Sequence, residues 1–314
     1  MRKFKVKSLG EVSYFLGVRI LRDQQLRKSW LVQDSYIDKL ASKFKVTLFS
    51  KPLTTPLPTE HLLPNTETTT KQEISLFQQL VGSMNFAAVF TRPDIAFSMS
   101  VLSQFMTNPS GKHLDAAKHC LSYLVATKFL AVEFDSSKRS KGVFVTYSDA
   151  AFADDKMSRF SSFGFALQLF GGIIHYKASK LKTVTLSSTE AELLALTSTA
   201  REFVYWMRLF DNIGLDLEEK STIYCDNIQT IGLLQKESFK LKTALKHVDI
   251  HSSWIRQEVQ RGRIDVEYVP TAEMVADGFT KLLPRQKFQN FLKQLNMSNI
   301  ETRVKPLENS ITGS

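Results

Sequence analysis

Only two cysteines, Cys120 and Cys225, occur in the chain, and they stand far apart with no partner pattern. Their scarcity excludes a disulfide framework and a zinc module, and it points to a reducing compartment. Also missing is any apolar run of roughly eighteen residues, which excludes a membrane-spanning helix. The start, Met1-Arg2-Lys3-Phe4-Lys5-Val6-Lys7, is basic but leads into no apolar core, so it reads as no secretion signal. No internal repeat is visible. These absences together suggest an intracellular protein with no membrane partner.

What the chain does have is length and positive charge. Its 314 residues exceed one typical compact domain and fit two modest ones, and 43% apolar residues can build real cores. The formal charge of +10 suits a polyanion partner, because phosphate contacts release counterions without any reading of sequence. Charge alone leaves ribosomal, chromatin and membrane-surface roles open.

Residues 12–21 alternate apolar and polar side chains and predict a strand. A turn follows at Asp23-Gln24-Gln25, then a returning strand over 29–32 and a helix over 36–44. The stretch 51–70, with Pro52, Pro56, Pro58 and Pro64, reads as an extended linker. Helical spacing then predicts helices over 73–91, 95–106 and 112–127. After Ser140 the period becomes alternating. Strands are expected over 142–148, 162–169 and 172–177, with Gly171-Gly172 as the tight turn between the last two. A helix over 189–213, a strand over 222–225, helices from 228 and over 243–261, a strand over 264–269 and late helices from 273 complete a mixed α/β order.

Acidic residues fall at the ends of these elements. Asp149 lies where the first strand of the second half ends, and Asp226 directly follows Ile223-Tyr224-Cys225. Glu192 lies in the first turns of the long helix, and Asp277 opens a late one. Such a set can hold two hard cations about 4 Å apart, which activate a water and stabilise a leaving oxygen. Each residue alone also has an ordinary reading. A strand-end Asp commonly forms a turn or caps a helix, and a first-turn Glu commonly faces the helix dipole.

The ordered motifs Tyr147-Ser148-Asp149-Ala150, Leu186-Ser187-Ser188-Thr189-Glu190-Ala191-Glu192, Tyr224-Cys225-Asp226-Asn227, Lys246-His247-Val248-Asp249-Ile250 and Ala276-Asp277-Gly278-Phe279-Thr280-Lys281 resemble the ribonuclease H domain of copia-type retrotransposon Pol polyproteins. The segment from Leu9 to Ile20 resembles the end of that polyprotein's reverse transcriptase palm. Tyr36 to Phe44, Leu80 to Phe86 and Thr91-Arg92-Pro93-Asp94-Ile95-Ala96 resemble its thumb and connection.

The resemblance implies an α/β fold with a ribonuclease H-like mixed five-stranded sheet flanked by helices, preceded by a partial palm end and a helical thumb or connection. The units expected are 1–50 (palm end and start of thumb), 51–70 (linker), 71–140 (thumb and connection), 141–296 (ribonuclease H) and 297–314 (C-terminal tail). It also implies cleavage of the RNA strand of RNA–DNA hybrids with two Mg²⁺ or Mn²⁺ ions. The implied partners are the hybrid and the element's other Pol and Gag products, in the cytoplasm, a virus-like particle or the nucleus.

By the same resemblance the catalytic, metal-binding set is Asp149, Glu192, Asp226 and Asp277. Glu190 competes with Glu192. Residues two apart on a helix point to different faces, so only one can be a primary ligand, and the Leu-x-Ala that follows Glu192 fits the wider ribonuclease H pattern. Ala151 departs from the family, which often has an acidic residue there. Phe152-Ala153-Asp154-Asp155 imitates a polymerase motif but reads as a solvated loop. The fingers, most of the palm and the Tyr-x-Asp-Asp motif would lie upstream of Met1, so this chain alone is expected not to polymerise DNA.

Arg159, Lys177, Lys180 and Lys182 are candidate contacts to nucleic-acid phosphates, with a generic solvated basic loop as the equal alternative. His247 opens a helix, so capping or packing suits it better than acid catalysis. Trp206 and Trp254 fall on apolar helix faces and are expected in the core. Two other roles compete with the nuclease: a silent nucleic-acid-binding remnant, and an integrase or transposase of related fold. The placement of Glu192 and Asp277, and the lack of a His/Cys zinc module, disfavour the last.

Overall fold

The computed structural model describes residues 10–46, 53–137, 142–155, 157–217, 222–235 and 246–305, with the backbone alone over 246–252. Strands β1 (Tyr14–Phe15), β2 (Val18–Asp23) and β3 (Lys28–Val32) form an antiparallel meander. The single strand expected over 12–21 is therefore broken. Leu16 and Gly17, at φ 49° and 81°, make a two-residue turn whose twist matches the strands it joins. Leucine rarely occupies positive φ, so the apolar pattern hid the turn.

Helix α1 (Asp34–Lys43) is tied to β2 by a two-pronged ion pair, Arg19 Nε to Asp34 Oδ1 at 3.1 Å and Arg19 Nη2 to Oδ2 at 2.7 Å. Helices α2 (Lys71–Phe90), α3 (Ala96–Leu102) and α4 (Gly111–Ala126) follow. Thr70 with Glu73 and Ser110 with His113 form capping boxes that satisfy the first amides of α2 and α4. The helix expected to reach 106 ends at Leu102 and continues only as a 3-10 turn, Ser103–Phe105.

The Thr91-Arg92-Pro93-Asp94 motif folds into a wholly buried ion pair. Arg92 bonds both Asp94 oxygens at 2.9 and 2.7 Å and reaches Thr127, while the Tyr123 hydroxyl donates to Asp94 at 2.7 Å. The described part of the Pro- and Thr-rich stretch also packs. Leu57 is buried, and His119 and His113 meet the carbonyls of Thr55 and Leu63 at 3.0 Å.

Strand β4 (Leu130–Asp135) lies within the stretch expected to be helical. Its partners are far away in sequence, which is why local spacing did not reveal it. It pairs with β3, and Glu133 accepts from Lys28 at 2.8 Å and from the Trp30 indole at 2.9 Å.

The second sheet comprises β5 (Phe144–Ala151), β6 (Ser162–Leu169), β7 (Gly172–Lys180), β8 (Thr222–Cys225) and β9 (Asp265–Tyr268), in spatial order β7-β6-β5-β8-β9. The first three are antiparallel, and β5, β8 and β9 run parallel. Parallel neighbours need crossovers. Those are supplied by α5 (Ser188–Asn212) before β8 and by α6 (Ile228–Gln235) and α7 (Lys246–Gln260) before β9. The start of the helix expected at 243–245 lies outside the described residues. The β6–β7 turn falls one residue early, at Phe170-Gly171 with φ 51° and 74°. Gly172 begins β7, where a Cβ would meet the Phe134 ring at 2.5 Å, so its bareness serves the contact between the two sheets.

Every residue of β5 is buried, because both faces of the sheet are covered. Phe144, Phe165, Leu167 and Ile223 pack with Leu193, Leu196 and Phe203 of α5 on one side. Val145, Tyr147, Ala166 and Ile173 pack on the other with Met84, Met99 and the late helices α8 (Asp277–Thr280) and α9 (Arg285–Gln294). The stretch expected as a C-terminal tail supplies β10 (Met297–Asn299), which pairs with β4 and closes the order β1-β2-β3-β4-β10. No helix among the described residues is long and apolar enough to cross a membrane.

Candidate metal centre

Parallel β5 and β8 end side by side, and their carboxyl ends are where open α/β sheets gather ligands. Asp149, near the end of β5, is 1% exposed and faces α8. Its neighbour Ser148 faces α5 and accepts from Thr199 at 2.9 Å. Asp226 is the first residue after β8, where Thr271 donates to its Oδ2 at 2.8 Å.

The start of α5 separates its two glutamates by task. Ser187 caps the helix by accepting from the Glu190 amide at 3.1 Å, and Glu190 Oε2 accepts from the Leu186 amide at 2.8 Å. Glu192, two residues on, turns toward the strand ends. Asp149, Glu192 and Asp226 each offer one oxygen within 4.8 Å of the others. Glu190 is not among them. Glu192 Oε2 is buried and has no hydrogen-bond partner.

Burial and crowding make the Asp149 and Glu192 carboxylates expensive to ionise. Burial, then the charges of Asp149 and Asp226, push Glu192 up to about 9. Burial raises Asp149 to about 6 against the counteracting Lys281 charge.

Asp277, at the first position of α8, stays outside the three-carboxylate group. The Lys281 ammonium donates to it and lies 3.6 Å from Asp149 Oδ2, an oxygen that also accepts from Thr280. Two glycines seat this helix. Gly164 pairs with Asp149 across the sheet, and a Cβ there would meet Phe279 Cβ at 2.5 Å. At Gly278 a Cβ would meet the Phe291 ring at 2.3 Å.

Of the basic candidates, Arg159, Lys177 and Lys182 are exposed. Lys180 is instead ion-paired to Asp155, whose carboxyl is held well below its ordinary range by Lys180 and by bonds from Ser158 and Met157. Asp154 accepts from the Ser162 amide at 2.6 Å and its hydroxyl at 2.7 Å. The Asp154-Asp155 pair lies in the β5–β6 loop, as expected, with Asp154 exposed, and its carboxylates tie that loop to the start of β6 and to Lys180. Trp206 of α5 and Trp254 of α7 are partly buried and pack against the core of the second sheet, and the His247 side chain lies outside those described. Cys120 and Cys225 are both buried and unbridged.

Thr271, Thr280 and Lys281 were not singled out from the sequence. For Lys281 a signal existed: it stands four residues after Asp277, a spacing that pairs opposite charges on a helix.

Strand order β7-β6-β5-β8-β9, with three antiparallel strands followed by two parallel additions, defines a ribonuclease H-like fold. No protein-family model matches the chain. The retrovirus-related Pol polyprotein from transposon TNT 1-94 of Nicotiana tabacum is 35% identical over 295 residues, covering 92% of this chain and 22% of its own length. That from transposon RE1 of Arabidopsis thaliana is 35% identical over 309 residues, covering 97% and 20% respectively. Among solved structures, the LC11 ribonuclease H1 in complex with RNA/DNA hybrid aligns over 43% of this chain and 92% of its own, at 14% identity and a TM-score of 0.33. The chain belongs to the retrovirus-related Pol polyproteins of transposons, and it spans about a fifth of the length of those two relatives.

Proposed function

We propose that the chain cleaves the RNA strand of RNA–DNA hybrids with divalent cations, Mg²⁺ or Mn²⁺, as the ribonuclease H part of a transposon Pol polyprotein. The convergence of Asp149, Glu192 and Asp226 at the ends of β5 and β8 carries this reading. A hard cation fits that donor set, since the oxygens are close together and one buried oxygen of Glu192 lacks any partner. Membership of the Pol family and the ribonuclease H-like fold support a nucleic-acid-processing role of this type.

Asp149, Glu192 and Asp226 would hold one ion, and Asp149 with Asp277 a second. When bound, such ions supply an activated water on one side of the phosphorus and charge neutralisation on the other. The chain's remaining side chains prepare the geometry. Glu190 fixes the first turn of α5, Thr271 orients Asp226 and Thr280 orients Asp149. Exposed Arg159, Lys177 and Lys182 would meet backbone phosphates, while the 2′-hydroxyl and groove shape of the hybrid set substrate choice.

Labelled hybrid incubated with the purified chain tests this directly. Cutting is expected with Mg²⁺ and none with EDTA, and Asp149→Asn should lose more than about 100-fold. Undiminished cutting by Asp149→Asn would remove this site from the reaction. One observation favours a second reading, a silent nucleic-acid-binding remnant: Asp277 is engaged by Lys281 and stands apart from the other three carboxylates. Hybrid binding without cleavage at any Mg²⁺ or Mn²⁺ concentration would select it.

A further inference from the structure

Among the described residues, Lys281 is the cation that contacts two of the four carboxylates. It lies one helical turn beyond Asp277, donates to that residue's Oδ1, and brings its ammonium to 3.6 Å from Asp149 Oδ2. The arrangement is built in. Phe279 is wholly buried, Gly164 and Gly278 leave no room for a side chain against α8, and Thr280 ties the helix to Asp149. An ion shared by Asp149 and Asp277 would sit beside the ammonium that already contacts one oxygen of each. Asp226 and Glu192, by contrast, contact no basic side chain through a described ion pair, and Glu192 keeps its unpartnered oxygen.

Resting on the metal-dependent reading above, we infer that Lys281 is a tethered cation at the second ion position, so that without substrate the site takes one divalent ion and admits a second only when the ammonium is displaced. Charge supports the assignment, because an ammonium and a dication at one pair of carboxylates repel each other at close range. Lysine also suits a removable occupant. Its charge is compact and sits on a flexible four-carbon stem, so it can leave Asp277 for a phosphate oxygen when the nucleic acid arrives. Lys281 thereby makes the full metal complement conditional on substrate.

Mn²⁺ titration of the full chain, with free ion followed by electron paramagnetic resonance, counts the ions that are lost in Asp149→Asn. One such ion is expected in the unsubstituted chain and in Lys281→Arg. Two are expected in Lys281→Met and Lys281→Gln, or a second site at least tenfold tighter than in the unsubstituted chain. Circular dichroism confirms that each variant is folded, and having two neutral variants guards against one that is not. Two equivalent ions in the unsubstituted chain, or a single ion in both folded neutral variants, would overturn the role of Lys281 and leave the metal-dependent reading standing. No Asp149-dependent ion in any variant would overturn both.

Discussion

Glu192 couples the chain's stability to pH and, on the proposed function, to metal. Its carboxyl is raised from an ordinary 4.5 to about 9, by burial first and then by Asp149 and Asp226, and that of Asp149 from 3.8 to about 6. Both are acids with raised values, so the folded chain keeps protons that the unfolded chain releases. Stability from these groups is therefore full below their ordinary values and is lost as pH rises, from about 4 up to about 9. Without metal, the melting temperature should fall across that window, and Glu192→Gln should flatten the fall between about pH 6 and 9. Mg²⁺ should raise the melting temperature more near pH 9 than near pH 6, because ion and proton compete for the same oxygens. Thermal scans with EDTA or Mg²⁺ at several pH values check all three. A melting temperature indifferent to pH and metal would show that the carboxylates do not repel one another as their packing requires.

Between elements, the decisive contacts are made by missing side chains. Gly164 sits on β6 opposite Asp149, and its bare Cα lets Phe279 settle onto the strand so that Thr280 can reach the aspartate. Gly164→Ala places a methyl 2.5 Å from Phe279 Cβ, and the short helix must lift. The expected cost is about 1–3 kcal/mol in urea unfolding, with a larger proportional loss of cleavage than of stability, since Thr280 and Lys281 move with the helix. The sequence displayed much of this architecture. Strand β8 matches the expected 222–225, and α5, at Ser188–Asn212, lies one residue from the expected 189–213. Facing says only that one of Glu190 and Glu192 can be a primary ligand, and the Leu-x-Ala after Glu192 favours the latter; the structure gives Glu190 a capping bond. Strands β4 and β10 were not legible, because a three-residue strand such as Met297–Asn299 exists only through its pairing with a distant partner. The engagement of Asp277 was missed for another reason: a carboxylate's place in a motif says nothing about which nearby cation reaches it first.

The two sheets form one interlocked body. Helices α2 and α3 share a core with β5, β6 and β7, and the Tyr176 hydroxyl donates to the Ala88 carbonyl. Beyond β10, Ile300 and Val304 are buried with Trp30 and Ala131, and Arg303 stacks 4.3 Å over the Trp30 ring. Ending the chain at 296 would expose this cluster. A loss of about 3 kcal/mol or more is expected from the uncovered apolar area, measured by urea melts of the shortened and full chains. Equal midpoints would mean that the last strand only decorates the first sheet.

That returning strand bears on how such polyproteins can diversify. A ribonuclease H-like unit followed by a strand that completes the sheet of the preceding unit is not a free-standing cassette. Recombination that joined the front of one element to the ribonuclease H-like unit of another would bring an edge strand selected against a foreign partner, with Met297 opposite whatever replaces Val132. Exchange would then succeed only between elements whose β4 and β10 still match, and the two units would be inherited together.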